Sequence, residues 1–112
     1  MATTINICKL DELTDPGSRG FSVISNGETI DGFVILNEGE IHGYKNNCPH
    51  TGSPLDWVEH QFLDLDTAFI QCAVHDARFE IANGLCVAGP CSGDSLQALN
   101  IAHDGQVVYL VI

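Results

Sequence analysis

Two short stretches concentrate the residues able to hold a metal, Asn47-Cys48-Pro49-His50-Thr51-Gly52 and Gln71-Cys72-Ala73-Val74-His75. Each pairs a thiol with an imidazole, as Cys-x-His in the first and Cys-x-x-His in the second, and 21 residues (51–71) lie between His50 and Cys72. Cys and His serve tetrahedral zinc and iron–sulfur centres alike. Zinc fingers usually pair Cys with Cys and His with His, whereas each loop here carries one of each. That mixture suits a binuclear centre with both Cys on one iron and both His on the other. Zinc, or a coincidence without any metal, stays open on donor chemistry alone. Pro49 fixes φ between the first two ligands and reduces the conformations that loop must give up on binding. Thr51, Gly52, Ala73 and Val74 supply backbone amides able to neutralise charge on sulfur.

The elements that must position these loops read as strands. Ile5 to Leu10 alternates apolar and polar side chains, and Asp11 to Gly20 reads as a loop. Phe21 to Ile24 resumes a strand, and Asn26-Gly27 predicts a type I′ hairpin turn because both residues tolerate positive φ. Gly32 to Leu36 is an apolar strand, Asn37 to Glu40 a turn, and Ile41 to Lys45 a strand that runs into the first ligand pair. A short helical turn is expected near Asp56, and Ala68 to Cys72 reads as a strand leading into the second pair. Arg78 to Ala82, a turn at Asn83-Gly84 and Leu85 to Ala88 make another hairpin, and Gly89-Pro90-Cys91-Ser92-Gly93 forces a loop. A last hairpin is expected from Leu96 to Ala102, turned at Asp104-Gly105 and closed by Gln106 to Val111. Short strands with frequent turns and almost no helical periodicity predict an all-β sandwich or barrel.

At 112 residues the chain fits a single domain spanning 1–112. Fifteen acidic against four basic residues give a net charge of −11, which repels phosphate backbones and anionic headgroups. Nucleic acid and membrane partners are therefore not expected, and no apolar run is long enough to span a bilayer. The charge serves solubility, or steering towards a basic surface on a redox partner. The N-terminal segment Met1 to Leu10 lacks a basic start followed by an apolar block, so a cytoplasmic location is expected. Thiols stay reduced there, which favours metal binding over a disulfide framework for the five Cys.

Cys-x-His followed by Cys-x-x-His, with Gly52 two places after the first His and Phe79 four after the second, resembles the Rieske [2Fe-2S] family. Pro54-Leu55-Asp56, Asn83-Gly84 and Gly89-Pro90 resemble soluble Rieske-type ferredoxins, and the likeness runs from about Phe33 to the end of the chain. It implies a [2Fe-2S] cofactor, with Cys48 and Cys72 on a buried iron and His50 and His75 on an exposed one. It further implies a fold of three antiparallel sheets with a cluster-binding subdomain of two loops, approximately residues 45–92. The spacer is longer than is usual for this family.

Residues outside the motif receive plainer readings. His42, His60 and His103 are expected to be ordinary surface or strand histidines, and Cys8 strand filler. Cys86 and Cys91 read as small buried hydrophobes, with a local disulfide as the alternative. Trp57 and Phe62 are expected to pack beneath the ligand loops. No phosphate loop, nucleophile–base arrangement or dinucleotide fingerprint occurs, so neither flavin nor nicotinamide should bind.

The resemblance implies a one-electron carrier and not an enzyme, taking electrons from a flavin-dependent reductase and passing them to a terminal oxygenase or other reductive enzyme. The alternatives are a permanently bound small subunit of a nitrite-reductase type complex and, from another class, a zinc-stabilised interaction module. Respiratory Rieske proteins add a Cys to each loop, and the matching positions here hold Ser53 and Val74. They also place Ser and Tyr hydroxyls near the cluster where this chain has Ala77 and Phe79. A hydrogen bond to a charged acceptor is worth about 1.5–3 kcal/mol, which for one electron is on the order of 65–130 mV as an upper limit. Voltammetry of the holoprotein should therefore find a midpoint near the low end of the Rieske range, about −150 mV, and an Ala77→Ser, Phe79→Tyr double variant should raise it. A wild-type midpoint above zero contradicts this reading.

Overall fold

A computed structural model describes residues 4–47, 62–63, 69–71, 77–89 and 93–111. Within them lie nine strands: β1 (Thr4–Lys9), β2 (Gly17–Ser25), β3 (Glu28–Asn37), β4 (Glu40–Lys45), β5 (Phe69–Gln71), β6 (Arg78–Glu80), β7 (Cys86–Ala88), β8 (Ile101–His103) and β9 (Val107–Val111). They form three antiparallel three-stranded sheets, ordered β1-β9-β8, β2-β3-β4 and β5-β6-β7, the arrangement that the family resemblance implies. A single 3-10 turn, Leu10–Glu12, is the only helical element among the described residues.

The β2-β3-β4 sheet is the middle layer. Phe33, Val34 and Ile35 in β3 are all completely buried, so both faces of that strand are covered and its sequence runs apolar without alternation. One face carries Phe33, Ile35 and Tyr44 into a cluster with Phe62, Ile70, Ala77, Phe79, Ile81, Cys86 and Leu96, on the side of the β5-β6-β7 sheet. The other carries Val34 into a cluster with Cys8, Leu13 and Val108, lined by Ile7, Phe21 and Ile101. Cys8 is thus core packing, and burial pushes its thiol upward, with Arg19 opposing and Glu12 adding a smaller rise.

Turn chemistry sets the register. Asn26 (φ 50°) and Gly27 (φ 79°) both take the left-handed conformation that the β2–β3 hairpin needs, and Glu38 and Gly39 do the same between β3 and β4. Both Asp15 carboxylate oxygens accept hydrogen bonds from that second turn, from the Glu38 and Gly39 amides at 2.8 Å each. At the β8–β9 turn, Asp104 accepts from the Val107 and Gln106 amides, and these bonds lower its pKa.

Two sequence expectations are corrected. Gly17 to Gly20 continue β2, paired with Leu36 to Phe33, and are not loop; their loop-like composition yields to the long partner strand that β3 offers. The expected strand from Leu96 shortens to Ile101–His103. The preceding residues form separate rungs: the Cys86 amide donates to Asp94 and the Leu96 amide to Gly84, then the Lys45 amide donates to Gln97 and the Leu99 amide to Gly43. Residues 93–99 therefore pass from the edge of β7 to the edge of β4 and tie two sheets together.

Two further contacts join the same sheets. Phe62 stacks on Phe33 with centroids 4.2 Å apart and planes 9° from parallel. Tyr44 donates its hydroxyl to the Ile81 carbonyl at 2.6 Å, and burial pushes its pKa up to about 12. The folded protein therefore favours the neutral phenol. That stabilisation is complete below the unfolded tyrosine pKa of about 10 and is lost as pH rises from there to about 12.

Phe62→Ala should cost about 3–5 kcal/mol, while Ile24→Ala at an exposed site should stay within about 0.5 kcal/mol, both read from urea unfolding of the holoprotein. Tyr44→Phe should cost about 1–3 kcal/mol at pH 8 by orphaning a buried carbonyl. Its deficit relative to wild type should narrow between pH 10 and 12, because only wild type carries the phenol. A deficit independent of pH contradicts the assignment.

Candidate metal centre

The four candidate ligands, Cys48, His50, Cys72 and His75, lie outside the described residues, as do Trp57, His60 and Cys91. Their flanks are described. β4 ends at Lys45, three positions before Cys48, and the Asn46 amide donates to the Asp31 carbonyl at 3.0 Å. The first ligand pair thus follows a strand whose end is pinned to its neighbour. The second pair lies between two paired strands: Gln71 ends β5, Arg78 opens β6, and the two are register partners. Cys72-x-x-His75 therefore falls, in sequence, between two strands that pair with each other.

The stem of that hairpin is secured on both sides. Leu63 bridges Ile70 in antiparallel fashion, and the Gln71 amide donates to the Phe62 carbonyl at 2.9 Å. The Phe62 amide in turn donates to Ser18 Oγ in β2 at 3.2 Å. Phe62 thus packs in the core next to the stem. Past the second motif, Ala77 and Phe79 are completely buried, and neither can donate a hydrogen bond from its side chain. Gly89, at φ +97°, packs so closely on Ala77 that a Cβ there would stand 2.8 Å from the Ala77 Cα. This close approach needs glycine for both its conformation and its lack of a side chain.

Of the three histidines set aside on sequence grounds, His42 and His103 are among the described residues and behave as ordinary strand and turn side chains. His42, half-buried in β4, lies 3.8 Å from Glu40. His103 accepts the Gly105 amide at Nδ1, 3.1 Å away. Among the described residues no three His, Cys, Asp or Glu side chains come together to hold a metal. Cys86 is buried, its Sγ 3.3 Å from the Ala88 carbonyl; its expected companion, Cys91, lies outside the described residues. Two thiols and two imidazoles, one of each per loop, fit a [2Fe-2S] cluster that takes Cys on one iron and His on the other. Among the described residues the structure has no helix long and apolar enough to cross a membrane.

Comparison with known proteins gives a coherent result. The ferredoxin of carbazole 1,9a-dioxygenase from Nocardioides aromaticivorans IC177 matches at a TM-score of 0.73 and 21% identity, covering 96% of this chain and 96% of that one. The Sphingomonas yanoikuyae B1 ferredoxin matches at 0.67 and 21%, covering 96% and 98%. A chain in a complex of reduced oxygenase and oxidised ferredoxin in carbazole 1,9a-dioxygenase matches at 0.71 and 17%, covering 96% and 92%. These likenesses establish the fold. No curated protein matches the sequence. The Rieske [2Fe-2S] domain family model matches residues 3–102, so the chain belongs to the Rieske [2Fe-2S] domain family and its cofactor is a Rieske-type [2Fe-2S] cluster.

Proposed function

We propose that this chain is a one-electron carrier, a Rieske-type ferredoxin that accepts an electron from a flavin-dependent reductase and delivers it to a terminal oxygenase. The observation that carries this reading is the match, across 96% of both chains, to the ferredoxin of a dioxygenase system. When bound, the cluster supplies a site that gains and loses one electron. Cys48, His50, Cys72 and His75 hold it, in a cluster-binding subdomain of a single domain. β4 delivers the first pair and the β5–β6 hairpin the second. The buried apolar residues Ala77 and Phe79 leave the cluster without the side-chain donors that raise the potential in respiratory relatives. Substrate turnover belongs to the partner, and the cytoplasm is the compartment in which the five thiols would stay reduced.

The test is stopped-flow oxidation of the reduced holoprotein by the oxygenase component of carbazole 1,9a-dioxygenase. We expect second-order bleaching of the reduced state and product formation that depends on this chain. Cys48→Ser and Cys72→Ser should each remove the visible chromophore and all transfer, with loss of bound iron by metal analysis. Chromophore retained in both variants contradicts the ligand assignment, and no transfer by wild type contradicts the carrier reading.

A further inference from the structure

The outward face of the β5-β6-β7 sheet combines three features that the packing of the fold does not account for. Phe79 and Cys86 are register partners and both are buried, so the residues flanking them in sequence turn the other way. Leu85 and Val87 accordingly stand 36% and 41% exposed. With Ile24, at the far hairpin, they are the exposed large apolar residues among those described. Arg78 opens β6 on the same outward side, exposed and paired in register with Ala88.

Arg78 is the single basic residue from Asn46 to Ile112, a stretch holding eight of the fifteen acidic residues. No described carboxylate forms an ion pair with it. Glu80, the nearest in sequence on that strand, accepts instead from Asn83 Nδ2 at 3.0 Å. An exposed guanidinium amid exposed apolar side chains is the composition of an interface centre, where Arg is enriched and other charges are depleted. Arg78 also lies three positions after His75, and it pairs in register with Gln71, which immediately precedes Cys72.

We propose that this face, with Leu85 and Val87 as its apolar floor and Arg78 as its one cation, is where the electron-accepting protein docks, the partner presenting a carboxylate within an apolar patch. The proposal rests on the carrier function proposed above. Charge complementarity fixes the partner's chemistry. A chain of net charge −11 repels a carboxylate over most of its surface, and Arg78 is the one basic residue in the strands of this sheet, so an acid on a partner docked here is matched opposite Arg78. The planar fork of Arg grips a carboxylate through two parallel hydrogen bonds, which sets the orientation of the docked partner as well as its affinity.

The experiment measures steady-state electron delivery to the oxygenase component of carbazole 1,9a-dioxygenase as a function of holoprotein concentration. Arg78→Glu, and separately the pair Leu85→Ser and Val87→Ser, should raise KM for this chain about tenfold with kcat within about twofold. Ile24→Ser should leave both unchanged, and all variants should keep the wild-type visible spectrum and midpoint potential. Unchanged KM in Arg78→Glu while wild type transfers normally overturns the docking proposal alone. So does a shifted potential that accounts for the loss, or a dimer by sedimentation that Leu85→Ser and Val87→Ser dissolve, since the face then serves a second copy. No transfer by wild type overturns the carrier reading and this proposal with it.

Discussion

The two candidate ligand pairs follow, in sequence, strands of different sheets, and the frame on either side of them is only as well fixed as the contact between those sheets. The first pair follows β4 of the middle sheet in sequence, and the second falls in sequence between β5 and β6 of the outer one. Between them Phe62 stacks flat on Phe33, and its backbone reaches both ways, to Ser18 in β2 and to Gln71 at the mouth of the ligand hairpin. One residue of the spacer is thus clamped to both sheets. Tyr44 and residues 93–99 add two more ties across the same boundary. A two-loop metal site needs such a frame, because ligands on independently moving supports lose affinity to the entropy of bringing them together.

The same packing explains the character of the surroundings. The segment after the second motif turns inward at Ala77 and Phe79 and fills the core with apolar side chains. Gly89 approaches the Ala77 backbone so closely that any side chain at position 89 would meet it. Dense packing and absent donors are therefore one feature seen twice. A core that fixes the hairpin through apolar contact also leaves the cluster without side-chain hydrogen bonds from these positions, and both properties follow from the same two residues.

Much of this was readable from local chemistry. Asn26-Gly27 and Asp104-Gly105 marked their turns because the required backbone angles depend on the residues themselves. The candidate ligand pairs, which lie outside the described residues, stand out in the sequence because donor type and mixed pairing restrict the metal before any fold is known. Gly17 to Gly20 were misread because glycine and serine suggest a loop, and only pairing with β3 makes them strand. The rungs of Leu96, Gln97 and Leu99 go to Gly84, Lys45 and Gly43, distant in sequence, so no local signal carries them. The Phe33–Phe62 stack and the Tyr44 to Ile81 bond were likewise invisible, since nothing local says which buried ring meets which.

The central claim is that mixed Cys and His ligation from two loops holds one binuclear cluster. Electron paramagnetic resonance of the dithionite-reduced holoprotein tests it most directly, because ligand type sets the average g value of the mixed-valence pair. The account predicts one rhombic signal whose average g lies below that of an all-Cys [2Fe-2S] centre. An average g equal to that of an all-Cys centre, or a colourless protein with bound zinc and no signal, would contradict it.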